Sequence, residues 1–250
     1  MIMKKNLKTR VRIILVSAAF LSFFAAGCGS SDSGSGSPSA GPTQGPASQL
    51  HGVNLQVDQA DAASSIEFDS DTFSETDCEV VEGCVSAVGK RQLLKFNADI
   101  INAGDEDFIL GDPATNPKFR YSPCHNHYHL QNIMLYELVD SSGHVVTAQS
   151  GSITVSRKQG FCLEDVQPYE GLANPLSPNS TPKYTCTNQG ISAGWEDVYD
   201  SSLPCQWLDV TDVAPGNYTL RITVNPAGVY PDTNLNDNIA TVPVTVPAAQ

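Results

Sequence analysis

Short stretches in which apolar residues recur at every second position run along this chain, as in Leu220, Ile222 and Val224, and Gly, Pro, Asn or Asp bound most of them. A period of two puts alternate side chains on opposite faces of a pleated strand. The pattern predicts strands at Leu93–Ile101, Ile133–Val139, His144–Ala148, Ile153–Ser156, Cys205–Val210, Tyr218–Val224 and Ile239–Val246. Asp58 to Ile66 is the only short helix candidate, because no stretch keeps a 3.6-residue apolar period for long. The expected fold is therefore all-β, a single β-sandwich-like domain with little helix. Thr211 to Tyr218, leading into the alternating run, resembles the turn-and-tyrosine entry to a sandwich strand, which makes Tyr218 structural. Irregular stretches at Asp105–Cys124 and Leu163–Asp200 are long enough to be functional loops, and their cysteines are expected to pin them around a site. The acidic Asp69-Ser70-Asp71 reads as solvated loop.

The N-terminal pattern is of another kind. Lys4, Lys5, Lys8, Arg10 and Arg12 precede an apolar run from Ile13 to Ala26, interrupted only by Ser17 and Ser22. The run falls short of the roughly 18–20 residues that span a bilayer, and Ala25-Ala26-Gly27 stand just before Cys28. This is an export signal whose ending resembles a bacterial lipobox, with residues 1–27 removed and Cys28 carrying the lipid. Residues 28–50, almost wholly Gly, Ser, Pro, Ala and Thr, read as a flexible tether holding a 51–250 domain at the cell envelope. The membrane is engaged through the lipid anchor only.

Without residues 1–27 the chain keeps nine basic against twenty-seven acidic residues, a formal charge of −18. That field repels nucleic acid, excluding it as a partner, and attracts protonated amines and metal ions. Beyond Cys28 there are six cysteines, at 78, 84, 124, 162, 186 and 205. An even number in an exported domain favours disulfides over metal thiolates, and no Cys-x-x-Cys pair suggests a zinc ribbon or a redox motif.

His125, His127 and His129 stand at alternating positions in Cys124-His-Asn-His-Tyr-His129. On a strand they would share one face and present three imidazoles to one point. Neutral nitrogen donors suit copper, zinc, iron or nickel rather than calcium or magnesium.

Further motifs follow in order. They are Lys158-Gln-Gly-Phe-Cys162-Leu-Glu-Asp165, Tyr199 six residues ahead of Cys205-Gln-Trp-Leu-Asp-Val-Thr-Asp212, and Val224-Asn-Pro226. Together with the histidines this order and spacing closely resemble the catalytic domain of the lysyl oxidases, over about Cys78 to Asn238. The resemblance implies a copper- and quinone-dependent amine oxidase that converts primary amines, with peptidyl lysine a candidate, to aldehydes using dioxygen and releasing hydrogen peroxide and ammonia. His125, His127 and His129 would then hold copper. Lys158 and Tyr199 would join as lysine tyrosylquinone, a conversion that needs a redox metal near the phenol and a neutral, partly desolvated lysine amine. Glu164, Asp165 and Asp197 are candidates for the base.

The resemblance also implies calcium at Asp232, Asn234, Asp237 and Asn238, and disulfides Cys78–Cys84 and Cys124–Cys186. Pro168 and Trp195 stand where the family has partners for Cys162 and Cys205, so these two are expected to pair with each other. The rival reading is a metal-holding β-sandwich binding or adhesion module without turnover. Lys158 and Tyr199 separate the two, since a binding module has no use for both.

Overall fold

A computed structural model describes residues 51–146, 155–157, 162–177 and 179–248. The signal segment 1–27, Cys28, the tether 28–50 and Lys158 lie outside the described residues. The chain runs through β1 (Leu55–Val57), α1 (Gln59–Ser64), β2 (Glu67–Phe73), α2 (Cys78–Val81), β3 (Gly89–Lys95), β4 (Ile100–Asn102) and β5 (Phe108–Gly111). It continues through β6 (Phe119–Ser122), β7 (His127–Leu130), β8 (Met134–Val139), β9 (Val155–Arg157), β10 (Gln167–Pro168) and β11 (Gln189–Ile191). The last elements are β12 (Trp195–Asp197), β13 (Trp207–Asp209), β14 (Gly216–Val224) and β15 (Ile239–Val246). The fold is all-β as expected, and α1 forms where the helix candidate stood. The Asp58 carboxylate caps α1 by accepting from the Ala60 and Asp61 amides at 2.9 and 3.0 Å.

Two four-stranded antiparallel sheets, ordered β15-β14-β8-β9 and β1-β4-β12-β10, share the main core. Strand β15 alternates exposed and buried positions throughout, so Ala240, Val242, Val244 and Val246 turn inward beside Leu220, Ile222 and Val224 of β14. They meet Leu55, Val57, Ile100 and Trp195 from the other sheet in one apolar cluster. Each such side chain taken from water is worth roughly 1.5–3 kcal/mol for the larger aliphatics. Pro243, which has no amide hydrogen, is tolerated because β15 is an edge strand. Tyr218 donates to the Ala214 carbonyl at 2.9 Å, closing the expected structural corner.

Three smaller sheets, β13-β3-β2, β5-β11 and β6-β7, complete the fold. The expected strand over Leu93–Ile101 breaks after Lys95, because β3 and β4 belong to different sheets. The crossover between them grips the tyrosine loop. Asp99 accepts from the Tyr199 amide at 2.8 Å, Asn97 accepts from the Ser201 amide at 2.7 Å, and the Ala98 amide donates to the Tyr199 carbonyl at 3.0 Å. Asp69 and Asp71 lie on the edge strand β2 rather than in a loop, and Lys95 pairs with Asp69 at 2.7 Å.

Candidate metal centre and tyrosine pocket

Strands β6 and β7 form a hairpin in which Ser122 pairs with His127 and Arg120 with His129. Pro123, Cys124, His125 and Asn126 make its turn, closed by the Asn126 amide donating to the Ser122 carbonyl at 2.9 Å. Asn126 takes a positive φ of 57°, which asparagine tolerates better than most residues. Only His127 and His129 are therefore on the strand, and His125 reaches the group from the turn. This corrects the expectation that all three share a strand face, yet the structure does bring them together. Ring centres are 5.7 Å apart for His125 and His127, 5.4 Å for His125 and His129, and 4.9 Å for His127 and His129. These spacings gather the three imidazoles at one end of the hairpin, while the ring nitrogens of all three do not lie within 4.8 Å of one another. Burial, and then the neighbouring His125, push the His127 pKa down, which favours the neutral imidazole that metal binding requires.

Two other groups of close donors occur among the described residues, Glu82 with Cys84 and Cys205, and Glu164 with Cys162 and Cys186. Their sulfurs are taken up in disulfides, so neither group offers a thiolate to a metal.

The disulfides are Cys78–Cys124, Cys84–Cys205 and Cys162–Cys186, with Cα separations of 5.6, 5.3 and 4.9 Å. All lie within the usual reach of such a bond. The expected pairs Cys78–Cys84, Cys124–Cys186 and Cys162–Cys205 are thus each overturned. Cys78 opens α2 and Cys84 lies three residues beyond its end, in different surroundings. Cys84 is buried in a small core with Phe73, Val85, Leu93 and Trp207, where Cys205 meets it, while Cys78 bonds to Cys124 at the histidine turn.

Tyr199 is 2% exposed, and its hydroxyl oxygen lies 3.4 Å from the Cys162 carbonyl oxygen. Burial drives its phenol pKa well above the usual value, and the Asp197 carboxylate, hydrogen-bonded to the same hydroxyl, adds to the rise. Asp165 is committed elsewhere. It accepts from the Ser192 amide and hydroxyl and from the Lys183 amide, all at 2.7 Å, and from the Tyr184 amide at 3.3 Å. Lys158, expected beside Tyr199, lies outside the described residues.

Gln189, fully buried on β11, was not foreseen. Its oxygen accepts from the Leu163 amide at 3.0 Å, next to Cys162, while its nitrogen donates to the Cys186 carbonyl at 3.4 Å and the Tyr128 carbonyl at 3.5 Å. One amide side chain thus links the histidine strand to the floor of the tyrosine pocket. A cavity of about 320 Å³ lined by Glu82, Arg120, Ser122, His129 and Gln131, among others, opens beside the histidines.

Between β14 and β15, Asp232 accepts from the Asn234 amide at 3.2 Å and from the Asn238 side chain at 2.8 Å. Asp237 accepts from Asn54 and Gln56 at 3.2 and 2.9 Å. The Asn234 side-chain oxygen instead accepts from Asn236. Three side-chain oxygens there, Asn54 Oδ1, Asp237 Oδ1 and Asn238 Oδ1, are buried without a hydrogen-bond partner. Asn54, far away in sequence, gave no signal of its own.

An all-β domain with a tri-histidine hairpin and a buried, carboxylate-bonded tyrosine defines the class, and the chain belongs to the lysyl oxidase family. The family profile, Lysyl oxidase, matches residues 56–247. Similar proteins include protein-lysine 6-oxidase of Gallus gallus, 33% identical over 65% of this chain and 38% of its own length. Protein-lysine 6-oxidase of Sus scrofa is 31% identical over 65% of this chain and 64% of its own length. Lysyl oxidase homolog 3A of Danio rerio is 33% identical over 64% of this chain and 21% of its own length. The chain therefore spans less than two thirds of each of these relatives.

Proposed function

We propose that this protein is a copper- and quinone-dependent amine oxidase that converts a primary amine, dioxygen and water into an aldehyde, hydrogen peroxide and ammonia. The gathering of three imidazoles at one hairpin, in a member of the lysyl oxidase family, carries the reading. His125, His127 and His129 hold copper, and Lys158 and Tyr199 supply the two halves of lysine tyrosylquinone. When present, the metal activates dioxygen and the quinone accepts the electrons of the amine.

The chain's own groups do the rest. The Asp197 carboxylate, hydrogen-bonded to the Tyr199 hydroxyl, is the base: it takes the phenol proton while the cofactor forms, releases it to solvent before turnover, and then takes one proton from the substrate's α-carbon in each cycle. Asp165 is excluded from that role by its four donors. Tyr199 is held in place by burial, and Gln189 and the Cys162–Cys186 bond fix the wall behind it. The acidic surface draws in protonated amines, with peptidyl lysine among the candidate substrates.

Calcium occupies the β14–β15 loop in this reading, held by Asp232, Asp237 and Asn238 together with Asn54. Three buried, unpartnered oxygens at that point support it. The domain works outside the cytoplasm, tethered through Cys28, in keeping with its three disulfides. Among the described residues no helix is long and apolar enough to cross a membrane.

The test is amine-dependent peroxide production by the chain purified with copper under air. Wild type turns over, Tyr199→Phe loses all activity, and Asp197→Asn falls by about 10²–10⁴-fold with its copper content unchanged. Undiminished turnover in Tyr199→Phe would sink the proposal.

A further inference from the structure

Glu82 ends α2, and its carboxylate divides between two residues of the histidine hairpin. One oxygen meets His125 Nε2 at 2.8 Å, and the other accepts from the Ser122 hydroxyl. The Ser122 oxygen in turn accepts from the His125 amide at 3.3 Å, which closes a ring of three residues around the turn. The side chains of His125 and Glu82 are only 15% and 14% exposed, unlike the solvated pair His51–Asp105 at 80% and 51%. Covalent bonds hold this contact. Cys78, at the head of α2, is bonded to Cys124, the residue before His125, and Cys84, two residues after Glu82, is bonded to Cys205.

A carboxylate only accepts hydrogen bonds, so a ring nitrogen facing it carries the hydrogen. In a neutral imidazole the lone pair then falls on the other nitrogen, where the carboxylate also raises donor strength. His125 alone of the three histidines sits in a turn, with no strand ladder to fix its direction. It is the member of the group that most needs such a brace.

We propose that Glu82 is a positioning residue for the metal centre, fixing the rotation and tautomer of His125 through Nε2 and leaving Nδ1 to bind the ion. The inference rests on the amine-oxidase reading for the existence of the centre. Its role is to pre-set one ligand, a task in which partners behind metal-binding histidines are typically worth about 10–100-fold in affinity.

Copper(II) affinity, measured by chelator competition on the metal-stripped chain, is compared for wild type, Glu82→Ala, Glu82→Gln and Ser122→Ala, with thermal unfolding recorded for each. Glu82→Ala is expected to lose about 10–100-fold, with Glu82→Gln intermediate, since its amide oxygen still accepts from Nε2, and Ser122→Ala close to wild type. Long-range nitrogen–proton NMR of the zinc-loaded wild type is expected to show His125 protonated at Nε2 and metallated at Nδ1, a readout that needs no variant to fold. Equal affinity in folded Glu82→Ala, or metal on His125 Nε2, overturns the role of Glu82. Failure of wild type to bind copper, or full binding by His127→Ala, would instead overturn the metal centre itself.

Discussion

Around Tyr199, burial sorts carboxylates that look alike in the sequence. Asp165 is saturated by four donors and serves the fold, whereas Asp197 faces the phenol. Asp99 and Glu196 form a third kind. Burial, and then the nearby charges of Asp61, Glu196 and Asp58, push the Asp99 carboxyl up to about 8. Burial, opposed by the Gln167 hydrogen bond and reinforced by Asp58, Asp61 and Glu170, pushes Glu196 up to about 7. A carboxyl whose pKa rises on folding holds its proton more tightly in the native state. Stability is therefore full below the unfolded value of about 4 and is lost as pH climbs through the folded values, roughly 7 to 8. Melting temperature should fall between about pH 5 and about pH 9. In Asp99→Asn, which keeps the acceptor for the Tyr199 amide, it should fall much less, and thermal denaturation at the two pH values checks both. An equal fall in the variant would assign the loss to other groups.

At the scale of elements, alternation was a good guide where one strand face is buried and the other wet, as β14, β15 and β8 show. It failed for β2, whose Asp69 and Asp71 look like loop chemistry but suit an exposed edge strand, where charge discourages pairing with another chain. It also ran β3 and β4 together, since a change of sheet at buried Asn97 and Asp99 leaves no mark on hydrophobicity. Of the candidate site, the histidines stood out by residue type and spacing, and Tyr199 only through the resemblance to the lysyl oxidases. Gln189, Glu82 and Asn54 were not, because each acts through contacts between distant segments. Disulfide pairing is the same problem in sharper form, since what decides it is which cysteine the small core around Trp207 encloses. Peptide mapping under non-reducing conditions should recover 78–124, 84–205 and 162–186 and none of the pairs suggested by sequence. The Cys84–Cys205 bond spans 121 residues, so the double serine variant should lose about 4–5 kcal/mol of stability in denaturant titration if the bond acts by restricting the unfolded chain.

For the molecule as a whole, the two large sheets serve as the rigid support, and the proposed site lies on the disulfide-tied turns at α2, the β6–β7 hairpin and the segment leading to Tyr199. The β14–β15 loop also ties the start of the domain to its end, through Asp237 with Asn54 and Gln56. A calcium ion there would stabilise the native state by mass action. Removing it with a chelator should lower the melting temperature reversibly in wild type and have little effect in Asp237→Ala, which scanning calorimetry with and without added calcium would read. The central claim is that copper and air join Lys158 to Tyr199, and peptide mass spectrometry tests it most directly. After aerobic copper loading, the peptides carrying these two residues should run as one crosslinked species at the mass of the quinone, absent when copper is withheld or Tyr199 is phenylalanine. Two separate, unmodified peptides from fully copper-loaded protein would contradict the account.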